Sequence, residues 1–120
     1  MATALRNNRL DQITSFAGAG AKLRVYTAAY AAVLYESTCA ATFAAAASGG
    51  VLTANAIGNA TATGSGTAAI ARLYKSDGTT MVLEGLTVGT SGTNIVIANT
   101  TIVALDTITT SSATITEGNP

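Results

Sequence analysis

Histidine and tryptophan are absent from this chain, and there is a single cysteine. Without histidine the chain lacks the most frequent general base and the most frequent metal ligand. One cysteine and no histidine exclude zinc sites of the usual kind and any Cys–His nucleophilic pair. An intrachain disulfide is excluded as well. Cys39 lies in an Ala/Thr-rich segment and reads as a small buried hydrophobe, in keeping with a reducing compartment. Charge is also scarce: charged residues make up 10% of the 120 positions, against about 25% in ordinary soluble domains. The six carboxylates (Asp11, Glu36, Asp77, Glu84, Asp106 and Glu117) show no D-x-D or calcium-loop spacing. A paired-carboxylate glycosidase is disfavoured, because so few aromatics leave little to line a sugar cleft. No apolar run approaches the ~18 residues of a membrane helix. Met1 to Leu10 contains two arginines and two asparagines rather than an apolar signal core. The expectation is a soluble, non-enzymatic protein made in the cytoplasm, with no cofactor and no membrane contact.

So few charges on a small surface leave it poorly defended against association. That composition fits a protein that sits against copies of itself or a partner; the alternative is a Thr/Ser/Asn-rich monomeric surface. Net charge is zero but unevenly placed. All six basic residues (Arg6, Arg9, Lys22, Arg24, Arg72, Lys75) precede Ser76, and four of the acids follow it. Such polarity orients neighbours or steers docking where it is more than chance. The basic residues form no run and no aromatic ladder interleaves with them, which argues against nucleic-acid binding.

What the chain does have is strand pattern. Ala68 to Gly92 reads as strand formers, an Asp77-Gly78 turn, a second strand and a Gly-containing turn. A two-residue loop sets Leu73 opposite Val82 and Tyr74 opposite Met81; a longer one shifts the register and exchanges the faces. Thr3 to Ala17 is the convincing helix. Leu5, Ile13 and Phe16 mark its apolar side, Leu10 or Ala17 flank it, and Gly18 and Gly20 stop it. This helix either packs across the β domain or reaches out as an arm. Further strands are expected at Lys22–Thr27, Ala32–Ser37, Val51–Ile57 and Asn94–Ala98. The hairpin strands fall near 67–75 and 80–88, and the run Ile102–Thr116 carries a break or bulge near Ser111 or Ser112. Ala40–Ala47 reads as irregular chain and Gly58–Gly66 as a turn-rich, mobile connection.

Together these make about seven to nine antiparallel strands with Gly turns, the pattern of an all-β sandwich or jelly roll. The expected organisation is one domain over residues 1–120: a helix or arm at 1–20 and the β-sandwich at 21–120. Gly64-Ser65-Gly66 and Gly89-Thr90-Ser91-Gly92 lack a following GKT or GKS and are hairpin turns rather than phosphate loops. Glu84 in mid-strand with Arg72 nearly opposite suggests a cross-strand or intersubunit ion pair, or two solvated charges. The tyrosines either anchor an interface or sit at core edges. The candidate interface residues are Leu5, Arg6, Arg9, Arg24, Tyr26, Arg72 and Glu84.

The order ATALRNNRLDQI, LRVYTA, FAAAASGGVLTANAI, ATGSGTAAIARLYKSDGTTMVLEGLTVGTSG and the closing TITTSSATIT resembles small virion-structure proteins of tailed bacteriophages and prophages. The resemblance spans essentially the whole chain and includes no catalytic signature. It implies a β-sandwich or jelly-roll protein located in the virion, made in the bacterial host cytoplasm. The implied role is capsid decoration, in which a dimer or trimer bridges major capsid protein subunits. A tail- or fibre-associated role is the alternative. A carbohydrate-binding attachment module is a third reading, opposed by the absence of Trp and the presence of only two Phe.

Overall fold

The computed structural model describes residues 2–116; Glu117, counted among the carboxylates above, lies outside the described residues. The chain is mostly β, with one α-helix at its start. Helix α1 (Thr3–Ala17) ends where Gly18 and Gly20 take φ of +68° and +71°, and the Gly18 N–H donates to the Thr14 carbonyl. Its buried face differs from the one expected. Leu10 and Ala17 are buried and Ile13 packs on the core, whereas Leu5 and Phe16 are half exposed. The reason is polar. Asn7 and Asp11, one turn apart, accept hydrogen bonds from the backbone N–H groups of Gly50 (2.9 Å) and Ala47 (2.7 Å). Satisfying those loop donors rotates the helix so that the Asn7–Asp11 side, with Leu10 between, faces inward. The helix is therefore docked on its own chain, against strands β3 (Val51–Thr53) and β7 (Met81–Gly89).

Seven strands form one mixed sheet that curls around the core. They are β1 (Lys22–Tyr26), β2 (Val33–Thr38), β3 (Val51–Thr53), β6 (Ile70–Tyr74), β7 (Met81–Gly89), β8 (Ile95–Ile97) and β11 (Thr110–Thr116). Their order is β2-β1-β6-β7-β8-β11-β3. Two small ladders complete the β structure: β4 (Ala60–Thr61) with β10 (Thr107–Ile108), and β5 (Gly66–Thr67) with β9 (Thr101–Ile102). The purely antiparallel arrangement expected from the sequence does not hold, because β7 and β8 are parallel. Parallel neighbours ordinarily need a crossover of a dozen residues or more, yet only residues 90–94 join these two. Asn94 resolves the geometry. Its side-chain oxygen accepts from the Thr87 N–H at 3.0 Å, its own N–H donates to Thr87 Oγ1 at 3.0 Å, and its amide reaches the Thr114 carbonyl on β11. A side chain thus does the pairing that a longer crossover would do.

The hairpin keeps one expected pair and loses another. Tyr74 faces Met81, but Leu73 faces Leu83 rather than Val82. The loop is longer than two residues: the Lys75 N–H donates to the Thr80 carbonyl, and Gly78, at φ +73°, donates to the Lys75 carbonyl. The Asp77 carboxylate accepts from the backbone N–H groups of Thr79 and Thr80 and from the Thr80 hydroxyl. Successive register shifts along β6–β7 then restore Leu73, Leu83, Ala71 and Leu86 to one face. Val51–Ile57 is strand only to Thr53, and the break in the final run falls at Val103–Asp106, with a register shift at Ser111 besides.

The core is one cluster. Leu23 and Val25 of β1 face Leu73 and Ala71 of β6 on one side and Ser37 and Tyr35 of β2 on the other. The turn-rich stretch after Gly58 is put to use along the open edge of β2. Gly58 donates to the Thr38 carbonyl, and Thr63 and Gly64 donate to that of Leu34. A side chain at Gly64 would meet the Val33 carbonyl at 2.7 Å, so only glycine permits this approach. The edge is closed to stray strand pairing.

Two outcomes follow. Leu10→Ala, at a side chain only 1% exposed, lowers the free energy of unfolding in urea by about 2–5 kcal/mol. Leu5→Ala, 51% exposed, stays within about 0.5 kcal/mol of the parent. Asp77 supplies a pH test. The Thr80 hydroxyl, then the Thr80 and Thr79 N–H groups, hold its carboxyl down at about 2, from an ordinary 3.8. A depressed folded-state pKa gives stability that is complete above about pH 4 and is lost as pH falls towards 2. Asp77→Asn therefore shows a smaller fall in urea midpoint than the parent between pH 5 and pH 2.

Candidate functional site: a tyrosine–arginine face

The outer surface of β2-β1-β6-β7 carries a cluster of arginines, tyrosines and acids. Its origin is a repeated tripeptide: Arg24-Val25-Tyr26 on β1 and Arg72-Leu73-Tyr74 on β6. The middle residue of each points into the core, so both arginines and both tyrosines point outward. Because β1 and β6 are antiparallel with Arg24 opposite Arg72, each arginine falls beneath the other strand's tyrosine. The Arg24 guanidinium lies 4.4 Å from the Tyr74 ring centre, and that of Arg72 lies 5.4 Å from the Tyr26 ring centre. The two phenol oxygens meet at 3.1 Å.

Two like charges opposite each other on a ladder repel, and the neighbourhood compensates both. Glu36, opposite Arg24 on β2, accepts from Arg24 Nε at 2.7 Å and from its Nη2, and Nη2 also reaches the Gly78 carbonyl. Arg72 is held differently. Its guanidinium stacks 3.7 Å from the centre of the Tyr30 ring, which in turn meets Tyr26 edge-on at 5.3 Å. Tyr30 reaches this place from a tight turn, Ala28–Tyr30, in which both Ala29 and Tyr30 adopt φ of +57°. Non-glycine residues rarely adopt that conformation, and the strain is sustained by what the side chain gains. The register shift in β7 opposite Arg72 leaves the Gly85 N–H unpaired, and the Tyr30 hydroxyl accepts it at 2.7 Å.

Burial and the hydrogen bond between them separate the two phenols. The hydrogen bond from Tyr26 lowers the Tyr74 pKa against the effect of burial, and Arg72 and Arg24 lower it further. Tyr26 moves the other way, raised by burial and by its bond to Tyr74. Elsewhere, burial pushes the Cys39 thiol up to about 11, which keeps it unreactive. A depression of about 300 Å³ near Ile97, Asn99, Thr101, Asp106 and Thr109 holds a single titratable group, Asp106. Among the described residues no three His, Cys, Asp or Glu gather as a metal site, and no helix is long and apolar enough to cross a membrane.

Of the seven residues expected at an interface, the fold brings together Arg24, Tyr26, Arg72 and Glu84. Glu84 stands 3.8 Å from Arg72 Nε, a loose version of the cross-strand pair suggested by the sequence. Leu5, Arg6 and Arg9 lie apart on α1; the Arg6 guanidinium covers Gly50. Sequence reasoning missed Tyr30, Glu36 and Tyr74. The doubled Arg-x-Tyr was the available signal for Tyr74, and none existed for Tyr30. Chemically, the face offers rigid aromatic surface and fixed cations, the composition that recognition surfaces favour. Scans against protein-family models, curated proteins and solved structures return no match to this chain.

The split between the phenols is measurable. In a spectrophotometric titration of the folded chain, Tyr74 ionises below the ordinary tyrosine range, and Tyr74→Phe removes that step. Because the folded pKa of Tyr74 is lowered, its contribution to stability is complete above its unfolded value and is lost as pH falls through its folded one. The raised Tyr26 contributes in the opposite sense, and its share is lost as pH climbs through its folded pKa.

Proposed function

We propose that this is a non-enzymatic virion structural protein, a capsid decoration protein that binds across neighbouring major capsid protein subunits. The observation that carries the assembly part of this reading is the tyrosine–arginine face. Arg24, Arg72, Tyr26, Tyr30 and Tyr74 form a preset outward surface on a chain with very little other charge. Tyrosine and arginine are the residues that supply binding energy at interface centres, and repetition over a lattice turns a modest contact into firm attachment. The phage part rests on the resemblance of the sequence to small virion-structure proteins. In the same reading, the curled sheet with its two small ladders serves as a reduced β-sandwich, presented to the particle as a dimer or trimer. Placement on the tail or a fibre is the alternative within the same class.

A cryo-electron microscopy map of virions purified from cells that make the protein tests this directly. Density at twofold or threefold positions of the capsid is the expected result. Density confined to the tail moves the assignment to the alternative, and particles that lack the protein altogether refute a virion role.

A further inference from the structure

The two arginines of the face are not equivalent. Arg24 is committed: its Nε and Nη2 both serve Glu36, and Nη2 also serves Gly78. Arg72 is stacked and interacts with the Tyr74 and Tyr26 hydroxyls, but it has no acid in close hydrogen-bonded contact. Its Nε is buried and has no hydrogen-bond partner among the described residues. The nearest acid, Glu84, stops at 3.8 Å on a side chain that is 61% exposed. An unpaired guanidinium nitrogen out of contact with water costs free energy, and it is held in place by Tyr30 beneath it and by the Tyr26 ring beside it.

We infer that Arg72, stacked on Tyr30 and flanked by the Tyr26 and Tyr74 hydroxyls, is a receptor for a carboxylate presented by an acidic side chain of a partner protein, with Glu84 as the internal acid that this carboxylate displaces. The planar guanidinium fork matches a carboxylate bidentately, and stacking fixes the plane of the fork before the ligand arrives. The charge balance selects the class of anion. Glu36 is used by Arg24, so the free positive charge at this spot is that of Arg72, partly offset by Glu84. That suits a monoanion and opposes a phosphate dianion, which would stand against the Glu84 carboxylate. This inference takes from the assembly reading only that the carboxylate belongs to a partner.

The test uses the isolated full chain, so its outcome is independent of where the protein sits in a particle. The Arg72 Nε–Hε signal is followed by nuclear magnetic resonance during titration with acetate, a hexaglutamate peptide, its hexaglutamine counterpart and inorganic phosphate. Acetate and hexaglutamate are expected to shift the signal saturably, and hexaglutamine is not. Glu84→Gln, at an exposed side chain that the fold does not need, should tighten acetate binding about threefold, the scale of a surface ion pair. Arg72→Lys keeps the charge but loses the fork, and should weaken acetate binding about tenfold. The inference is overturned if the Glu84→Gln protein shows no saturable response to acetate, if phosphate binds more tightly than acetate, or if Arg72→Lys binds as well as the parent.

Discussion

Arg24 and Arg72 stand opposite each other across the β1–β6 ladder, and much of the outer half of the molecule is arranged around that repulsion. Two guanidiniums side by side on a sheet are unfavourable unless each finds its own compensation. One takes Glu36 from the neighbouring strand and the other takes a tyrosine ring from a strained turn. The guanidiniums over their rings and the contact between their hydroxyls shield Tyr26 and Tyr74 from water, so both are buried although they point away from the core. Each strand then buries two successive residues, one on each side: Val25 with Tyr26 and Leu73 with Tyr74. A sheet with one face on the core and the other under a polar roof escapes the simple alternation of inside and outside.

That double burial explains what was legible in the sequence and what was not. The bounds of α1 were readable because helix signals are local: a run of helix-compatible residues closed by Gly18 and Gly20. Its buried face was not readable, because it is set by Ala47 and Gly50, more than thirty residues away, whose backbone donors select Asn7 and Asp11. Strand β1 was readable from alternation, and Tyr74 opposite Met81 from the Asp77-Gly78 turn. The shift that brings Leu83 opposite Leu73 has no local signature. Parallel pairing of β7 with β8 runs against the general rule for short connections, and the Asn94 side chain that permits it looks in sequence like any turn asparagine.

The candidate site shows the same division. Alternation put Arg24 and Tyr26 on one face of β1 and hairpin geometry put Arg72 near Glu84, but only the β1–β6 pairing brings the two pairs together. Leu5, Arg6 and Arg9 were grouped with them on the reading of the helix as an arm to a neighbour, and the fold separates them. Glu36 joins because β2 pairs with β1 in a register with Arg24 opposite it, a relation between strands rather than within one. Tyr30 joins through two left-handed residues, Ala29 and Tyr30, neither of which is a residue type that announces positive φ.

Left-handed conformations at non-glycine residues cost about 1–3 kcal/mol each, and the Ala28–Tyr30 turn contains two. The turn is closed by the Thr27 N–H on the Ala32 carbonyl and by the Ala32 N–H on the Thr27 hydroxyl, so it is held from its own ends. Its other anchor is Tyr30, which caps the N–H freed at Gly85 and stacks on Arg72. A relaxed turn would withdraw the ring, leaving Gly85 without its acceptor and Arg72 without its stacking partner. Strain in the turn and order in the face are therefore one balance, struck within the folded chain before any partner arrives. A partner meeting this surface has little left to immobilise there. Binding energy that would otherwise go into ordering rotamers is then available to the contact itself.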